Sequence, residues 1–356
     1  MKSVSINLFF RCNARCVFCV VGLTGGGHSG KAMSIKQVKA SLDGAALDGC
    51  TMVTFSGGEP TIYPSLFEAV EYAKRRGFSC IELKTNGIRL ADRTFTRQLI
   101  AAGVNAFSIA IHGPSSAIHD QLTGAPGAFA RAVTAARLVR EHNQTLSLPT
   151  CIQAGNYYLL PETIRLLLSL EPQFCLPTFV EPSGSAAFRF DTVVPRYSEV
   201  KPFLLAAMQI LATDSRRRWA IHGVPMCVIR GYEKYSYDLL RGSEVLAQDI
   251  GCDYFTYEKT HYRAKQEACR TCQLDDVCAG PWRRYAEARG WGEFVPIQDV
   301  TPRQVIPLGL LIWAAARHVR HAEPAAHAAV GRQDTSGQED SYDSRQVGQI
   351  TSTGTR

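Results

Sequence analysis

The chain has no long apolar run, and that excludes a membrane-spanning helix. Its strongest apolar stretch after the N-terminal segment, residues 305–316, is interrupted by Pro307 and Gly309 and falls short of the ~20 residues that cross a bilayer. No secretory signal is recognisable either. Residues 1–10 carry a single lysine and a short apolar run that leads directly into cysteines. Strong charge of one sign is also missing. Charged residues make up 20% of the chain and the net charge is +7, too mild to predict a nucleic-acid track. The clusters Lys74-Arg75-Arg76 and Arg216-Arg217-Arg218 therefore read as solvated helix ends or loops, and there is no internal repeat beyond a βα alternation. The sequence is rich in cysteine, with twelve in 356 residues. Without an export signal these point to metal ligation in the cytoplasm rather than to disulfides.

Three of them follow an apolar strand as Arg11-Cys12-Asn13-Ala14-Arg15-Cys16-Val17-Phe18-Cys19. The C-x3-C-x2-C spacing is tight enough for three sulfurs to meet on one small object. Thiolates select iron–sulfur clusters, zinc or copper(I) over hard cations, and a structural zinc loop is compatible with the spacing. A four-iron cluster ordinarily takes four cysteines, so this loop would leave one iron open. With Phe18 before the last cysteine, the loop resembles the signature of the radical S-adenosylmethionine (radical SAM) enzymes. That resemblance implies that Cys12, Cys16 and Cys19 hold a [4Fe–4S] cluster whose open iron chelates SAM. Reductive cleavage would then give a 5′-deoxyadenosyl radical that abstracts hydrogen from a substrate.

From Ser34 onward the sequence alternates. Ser34 is predicted to cap a helix with Ile35, Val38, Leu42 and Ala46 on one face. Strands are expected over 51–55, 80–83, 106–111, 146–152 and 174–180, after a first strand around 4–10. Helices are expected over 66–76, 91–102, 128–141 and 161–170. Strands separated by single helices imply parallel pairing with right-handed crossovers. Six units are two short of a closed barrel, so the expected fold is α/β, a partial (β/α)6 TIM-like barrel with a small cysteine-rich C-terminal domain. The radical SAM resemblance implies the same barrel.

Ligand sites in such folds lie at the carboxyl ends of the strands. The second strand ends in Gly57-Gly58-Glu59-Pro60, where glycine lets backbone approach a ligand. The third ends in Thr85-Asn86-Gly87, the fourth holds Ser108, and His112-Gly113-Pro114 follows it. The family resemblance implies that Gly57, Gly58 and Glu59 receive the SAM ammonium group. It implies that Thr85, Asn86 and Ser108 serve its carboxylate and ribose. His112 is read as structural or substrate-facing. The loop over 22–30, rich in glycine and containing His28, is expected to be flexible and exposed beside the cluster.

Beyond Pro182-Ser183-Gly184-Ser185, a linker-like break, the expected regions are 183–222 as a connecting helix and strand, 223–297 as the cysteine-rich domain and 298–356 as a tail. Cys227, then Cys269-Arg270-Thr271-Cys272 and Cys278, with Tyr285, Gly290, Glu293 and Pro296, resemble the auxiliary-cluster extensions called twitch or SPASM domains. Trp282 stands where the longer SPASM pattern expects another cysteine, which argues for one extra cluster. Cys227, Cys269, Cys272 and Cys278 are its candidate ligands, with Cys252 in reserve; a zinc site is the alternative. Cys50, Cys80, Cys151 and Cys175 read as small buried hydrophobes. The tyrosines and phenylalanine between 232 and 262 read as packing. Residues 305–319 are expected to form a short helix, and the chain from Ala322 to be disordered for want of apolar residues.

The resemblance thus implies a radical SAM oxidoreductase or maturase using a [4Fe–4S] cluster, SAM and a second Fe–S cluster. Its expected partners are a flavodoxin- or ferredoxin-like one-electron donor and a peptide or small-molecule substrate. Eleven residues before Cys12 leave no room for a leader-binding domain, so a peptide substrate would call for a separate leader-binding protein. The rival reading is a non-enzymatic zinc protein.

Overall fold

The computed structural model describes residues 2–21, 32–239, 245–247 and 252–299, all within one compact unit. The readings of the 22–30 loop with His28, of the 305–319 helix and of the tail fall outside the described residues.

Six parallel strands follow one another in chain order: β1 (Lys2–Phe9), β2 (Cys50–Gly57), β3 (Cys80–Thr85), β4 (Ala106–Ile109), β5 (Thr145–Ile152) and β6 (Phe174–Phe179). Helices connect them, as the alternation requires. In β1 every second residue, Val4, Ile6 and Leu8, is buried with no exposed surface, the period of a strand with one face on a core. Val38 and Leu42 of the helix Ile35–Leu47 join the same cluster. That helix starts on a capping box: the Ser34 hydroxyl accepts from Gln37 N–H at 3.3 Å and the Gln37 side chain accepts from Ser34 N–H at 2.9 Å.

The sheet is a partial barrel, open rather than ringed, and it is longer than six strands. Short strands β7 (Arg218–Trp219), β8 (Val245–Ala247) and β9 (Cys252–Asp253) extend it to the order β7-β6-β5-β4-β3-β2-β1-β8-β9. β7 runs parallel to β6, β8 parallel to β1, and β9 antiparallel to β8. Two- and three-residue strands carry no periodicity, so the sequence could not announce them.

Two further departures bear on the site. The crossover from β4 to β5 holds an additional helix, Ser116–Thr123, ending at Gly124. Residues 182–185 are not a free linker: they open a short helix, Gly184–Phe188, and Ser185 N–H donates to Cys19 O at 2.8 Å. Glycine and serine read as loosening here because the cysteine loop they press against is distant in sequence. Arg217 is not solvated surface either; it is largely buried and paired to Asp214.

No described helix is long and apolar enough to cross a membrane.

Candidate active site and second cysteine cluster

The cysteine loop leaves β1 and is pinned at four backbone points. Arg15 N–H donates to Thr123 O (2.7 Å) and Val17 N–H to Leu122 O (3.0 Å), both carbonyls at the end of the additional helix. Cys19 N–H donates to Cys16 O (3.2 Å), and Cys19 O accepts from Ser185. Phe18 is buried and meets the edge of His112, with ring centroids 4.7 Å apart. His112 is itself locked: its Nδ1 accepts from Cys151 N–H at 3.1 Å, and its carbonyl accepts from Asn156 at 2.8 Å. His112 is therefore a structural support for the loop, and burial holds its imidazole well below its usual range.

Cys12 is exposed, Cys16 and Cys19 are half-buried, and all three stand as thiols. Burial, then the negative charge available on Cys19 and Cys12, pushes Cys16 up to about 12. Cys12 is raised by burial first, with Glu59 and Cys19 adding to it. Thiols that raise one another face a common space. The Cys12 sulfur also accepts from Ala14 N–H (3.4 Å) and from the Asn86 side chain (3.8 Å), the kind of donor contact that stabilises cluster thiolates. Among the described residues, no three His, Cys, Asp or Glu side chains gather around a single-ion position. A four-iron cluster gives each cysteine its own iron, so its ligands need not crowd one point.

The Gly57-Gly58-Glu59 turn lies against this loop. Gly58 N–H donates to Phe9 O (2.6 Å) and Glu59 N–H to Arg11 O (2.9 Å). A Cβ on Gly58 would stand 2.0 Å from Arg11 O, and one on Gly57 2.3 Å from Phe9 O. The glycines are thus required by the approach of the chain to itself, a constraint the ligand argument did not foresee. Glu59 is 1% exposed, and its carboxylate accepts from Thr61 N–H (3.0 Å), the Thr61 hydroxyl (2.5 Å), the Thr85 hydroxyl (2.7 Å) and Asn86 N–H (2.8 Å). Burial raises its pKa against these four donors. The carboxylate clamps the end of β2 to the end of β3, and Thr85 is a buried part of that clamp. Asn86 carries the clamp to the cysteine loop, donating to Asn13 Oδ1 at 2.7 Å. Ser108 is buried on β4, in register with Lys84 and Ser147, apart from the Glu59 network.

Cys227, Cys269, Cys272 and Cys278 line one cavity of about 410 Å3, counting the part open to solvent, with Met226, Leu274, Pro281 and Phe294 around them. Burial, then Cys278, Cys269 and Cys272, pushes the Cys227 thiol up to about 12; Cys278 reaches about 11, burial again leading. Gly280 N–H donates to the Cys278 sulfur and Ile297 N–H to the Cys272 sulfur, both at 3.4 Å. Four sulfurs with backbone donors around one apolar cavity fit a cluster as the first loop does. Cys252 lies in β9, and its side chain is outside the described residues.

Between the two cysteine groups lies a buried polar network that the sequence reading missed. Arg263, 1% exposed, donates to Glu258 (3.0 Å) and Gly280 O (2.8 Å), stands 3.6 Å from Asp238 and lies over the Trp282 ring. His222 meets Glu258 at 2.9 Å. Glu181 follows β6. Cys151 belongs with this interior rather than with the buried cysteines. It is half-buried on the more open face of β5, and burial, Cys16, Glu181 and Cys19 all raise its thiol. Cys50, Cys80 and Cys175 are buried as expected. Glu181 left one trace in the sequence, as the first polar residue after an expected strand end; Arg263 and Glu258 left none, because their partners are remote.

The Radical SAM superfamily model matches residues 6–165, the segment that holds the cysteine loop and the Glu59 clamp. Residues 6–165 are a radical SAM domain. Such domains use a [4Fe–4S] cluster and SAM, and the loop and turn described above fall inside the matched segment. An AdoMet-dependent heme synthase of Methanosarcina barkeri is 30% identical over 173 residues, covering 49% of this chain and 49% of the relative. A PqqA peptide cyclase of Rhodopseudomonas palustris is 31% identical over 169 residues, covering 48% and 44%. The chain thus spans about half the length of the curated relatives it matches. Among solved structures, Streptococcus suis SuiB bound to S-adenosylmethionine aligns with a TM-score of 0.59 at 13% identity, over 83% of this chain and 76% of that one. Native anSMEcpe with bound AdoMet gives 0.59 at 14%, over 90% and 100%. At these identities the likeness is one of fold, and for SuiB and anSMEcpe it extends beyond the radical SAM domain.

Proposed function

We propose that the chain is a radical SAM oxidoreductase or maturase with one auxiliary Fe–S cluster. The observation that carries this reading is the convergence of three thiols and the glycine-walled Glu59 turn on one barrel mouth, inside the matched domain. Cys12, Cys16 and Cys19 would hold a [4Fe–4S] cluster. Gly57, Gly58, Asn86 and Ser108 would line the SAM position, with Glu59 and Thr85 fixing the turn from beneath. Cys227, Cys269, Cys272 and Cys278, in a region we assign to 223–297, would hold the second cluster. When bound, cluster and SAM supply reductive cleavage of the sulfonium and hydrogen-atom abstraction from the substrate.

The chain's own part is placement. Ala14 N–H and Asn86 donate to the Cys12 sulfur and disperse its charge. The Leu122 and Thr123 carbonyls hold the loop rigid, and the four-donor clamp on Glu59 keeps β2 and β3 in register at the mouth. Donors already fixed in place cost no reorganisation during reaction.

The substrate is a peptide or a small molecule. The relatives' names divide the same way, between heme synthases and a peptide cyclase, and a structural neighbour is SuiB bound to precursor peptide SuiA. A flavodoxin- or ferredoxin-like protein would deliver the electron, and a peptide substrate would be presented by a separate leader-binding protein.

The test is anaerobic reconstitution with iron and sulfide, followed by SAM and a strong reductant. Charge-transfer absorption and 5′-deoxyadenosine are expected. Zinc binding without either would overturn the reading in favour of a structural zinc protein.

A further inference from the structure

One cation on the inner face of the barrel stands apart from the cysteine loop and the Glu59 clamp. β3 is bonded on both sides, to β2 and to β4, so its side chains leave the sheet on only two faces. Ile81 and Leu83 pack in the core cluster with Val70 and Leu99 of the flanking helices. Lys84 therefore projects from the opposite face, into the barrel, and it is exposed there. It lies two residues, roughly 7 Å of strand, before Asn86, whose side chain touches the Cys12 sulfur. Its neighbours on that face are short and hydroxylated. Register pairs Lys84 with Ser108 on β4 and Ser108 with Ser147 on β5, so three donors stand in one row on adjacent strands about 4.8 Å apart. Ser108 is 8% exposed and Ser147 is half-buried. Among the described residues, none of the three side chains has a hydrogen bond or ion pair within the protein. The row continues to Phe174 on β6 and contains no carboxylate. The nearest acid on the same face of β3 is Glu82, two residues further in. Its carboxylate accepts from the Thr54 hydroxyl at 2.7 Å and forms no ion pair with Lys84.

An ammonium and two hydroxyls side by side form a donor set that lacks an acceptor, and such donors bind an ionised oxygen more strongly than a neutral one. A single lysine matches one negative charge, which suits a carboxylate better than a phosphate dianion. Because Lys84 is exposed to the barrel interior, a ligand reaches it without opening the core. We infer that Lys84, with the Ser108 and Ser147 hydroxyls, forms a carboxylate-anchoring shelf inside the barrel, and that the substrate presents a carboxylate to it. The inference rests on the radical SAM reading for the identity of the neighbouring site, and Ser108 stands where that site and the shelf meet. Lys84 is a positioning residue here: it would fix one end of the substrate while the hydrogen to be removed faces the SAM position. A central strand holds such an anchor at a set distance from the cysteine loop, as a free loop would not. The carboxylate could belong to an acidic side chain of a peptide or to a small acid, and the chemistry that Lys84 recognises is the same.

Two probe pairs separate these sources. Nα-acetyl-glutamate methylamide is compared with Nα-acetyl-glutamine methylamide, and hexanoate with hexanamide. Each is titrated into the anaerobically reconstituted full chain with SAM, followed by saturation-transfer NMR. In at least one pair the acid is expected to bind about tenfold tighter than its amide, the scale of a hydrogen bond to a charged group. The preference should vanish in Lys84→Met and survive in Lys84→Arg. No preference in either pair overturns the proposal without reference to any variant's folding, and a preference that persists in Lys84→Met also overturns it. SAM and decarboxylated SAM are titrated into the same variant. If Lys84→Met weakens the first and spares the second, the ammonium serves the carboxylate of SAM and the shelf is refuted. Formation of 5′-deoxyadenosine in the same preparation tests the radical SAM reading separately. Cleavage without acid preference sinks the anchor alone; acid preference without cleavage sinks the radical SAM reading alone.

Discussion

The two cysteine groups solve one problem by opposite routes. The first draws three thiols from eight consecutive residues, and its loop is positioned largely by backbone bonds to Leu122, Thr123 and Ser185. The second collects Cys227 from one segment and Cys269, Cys272 and Cys278 from another more than forty residues on, around a shared apolar cavity. Both rely on a glycine whose missing Cβ lets two backbones touch. Gly58 would strike Arg11 O at 2.0 Å, and Gly280, at φ +83°, would strike Ala264 O at 1.9 Å. Their exposure differs too. Cys12 is open to solvent, whereas all four cysteines of the second group are half-buried, and the residue two past Cys278, Gly280, accepts from Arg263. A local loop leaves one cysteine in the open; a site assembled by tertiary packing half-covers every one of its cysteines.

The sharpest way to break this contrast is to remove each set in turn. Replacing Cys12, Cys16 and Cys19 with alanine should reduce 5′-deoxyadenosine formation to background. Replacing Cys269 and Cys272 should leave SAM cleavage running while substrate turnover fails; product analysis by mass spectrometry separates the two. If both sets abolish cleavage equally, the division of labour is wrong. Next in size, Arg263→Met strands Glu258 and Asp238 in the interior and should cost about 3–5 kcal/mol in urea denaturation. A smaller loss would mean that the network is wetter than its burial suggests. Gly58→Ala and Gly280→Ala should each cost about 1–3 kcal/mol by overpacking. Gly280→Ala should cost more, because its positive φ adds backbone strain. Thr85→Val removes one donor from Glu59 and should cost about 1.5 kcal/mol.

The smallest effect is one of pH. Burial would raise Glu258, but His222 and Arg263 outweigh it and hold its carboxyl below the usual range. A carboxylate depressed in the folded state stabilises above its unfolded pKa and loses that contribution as pH falls through the folded value. Thermal stability should therefore decline below about pH 4, and part of that decline should be absent in Arg263→Met.

Much of the barrel was legible because its signals are local. Ser34 announced a capped helix; the strand ends read at Phe55 and Leu83 fall two residues short of Gly57 and Thr85, and the one at Ile152 coincides. The helix over 128–141 was read with its observed bounds. The helix Ser116–Thr123 was missed because eight residues give barely two turns in which a helical period can show. The 182–185 stretch was misread because small residues suit both a loose linker and a tight contact, and composition does not separate the two. Asn86 was recognised as a site residue from its place after β3. Its role as a donor to Cys12 and Asn13 depends on a partner seventy-three residues away.

The sequence by itself determined the cysteine loop, the Gly-Gly-Glu turn and the order of the parallel strands. Residues that close in the chain meet through covalent geometry, and βα crossovers of one hand leave few other arrangements. Tertiary structure alone decided that Glu59 turns inward to clamp β3, that Cys227 joins the distant cysteines, and that Arg263 meets Glu258 and Gly280 in the interior. Each of these depends on which remote donors and bases arrive beside a side chain once the core has closed, and on which are already taken by a neighbour.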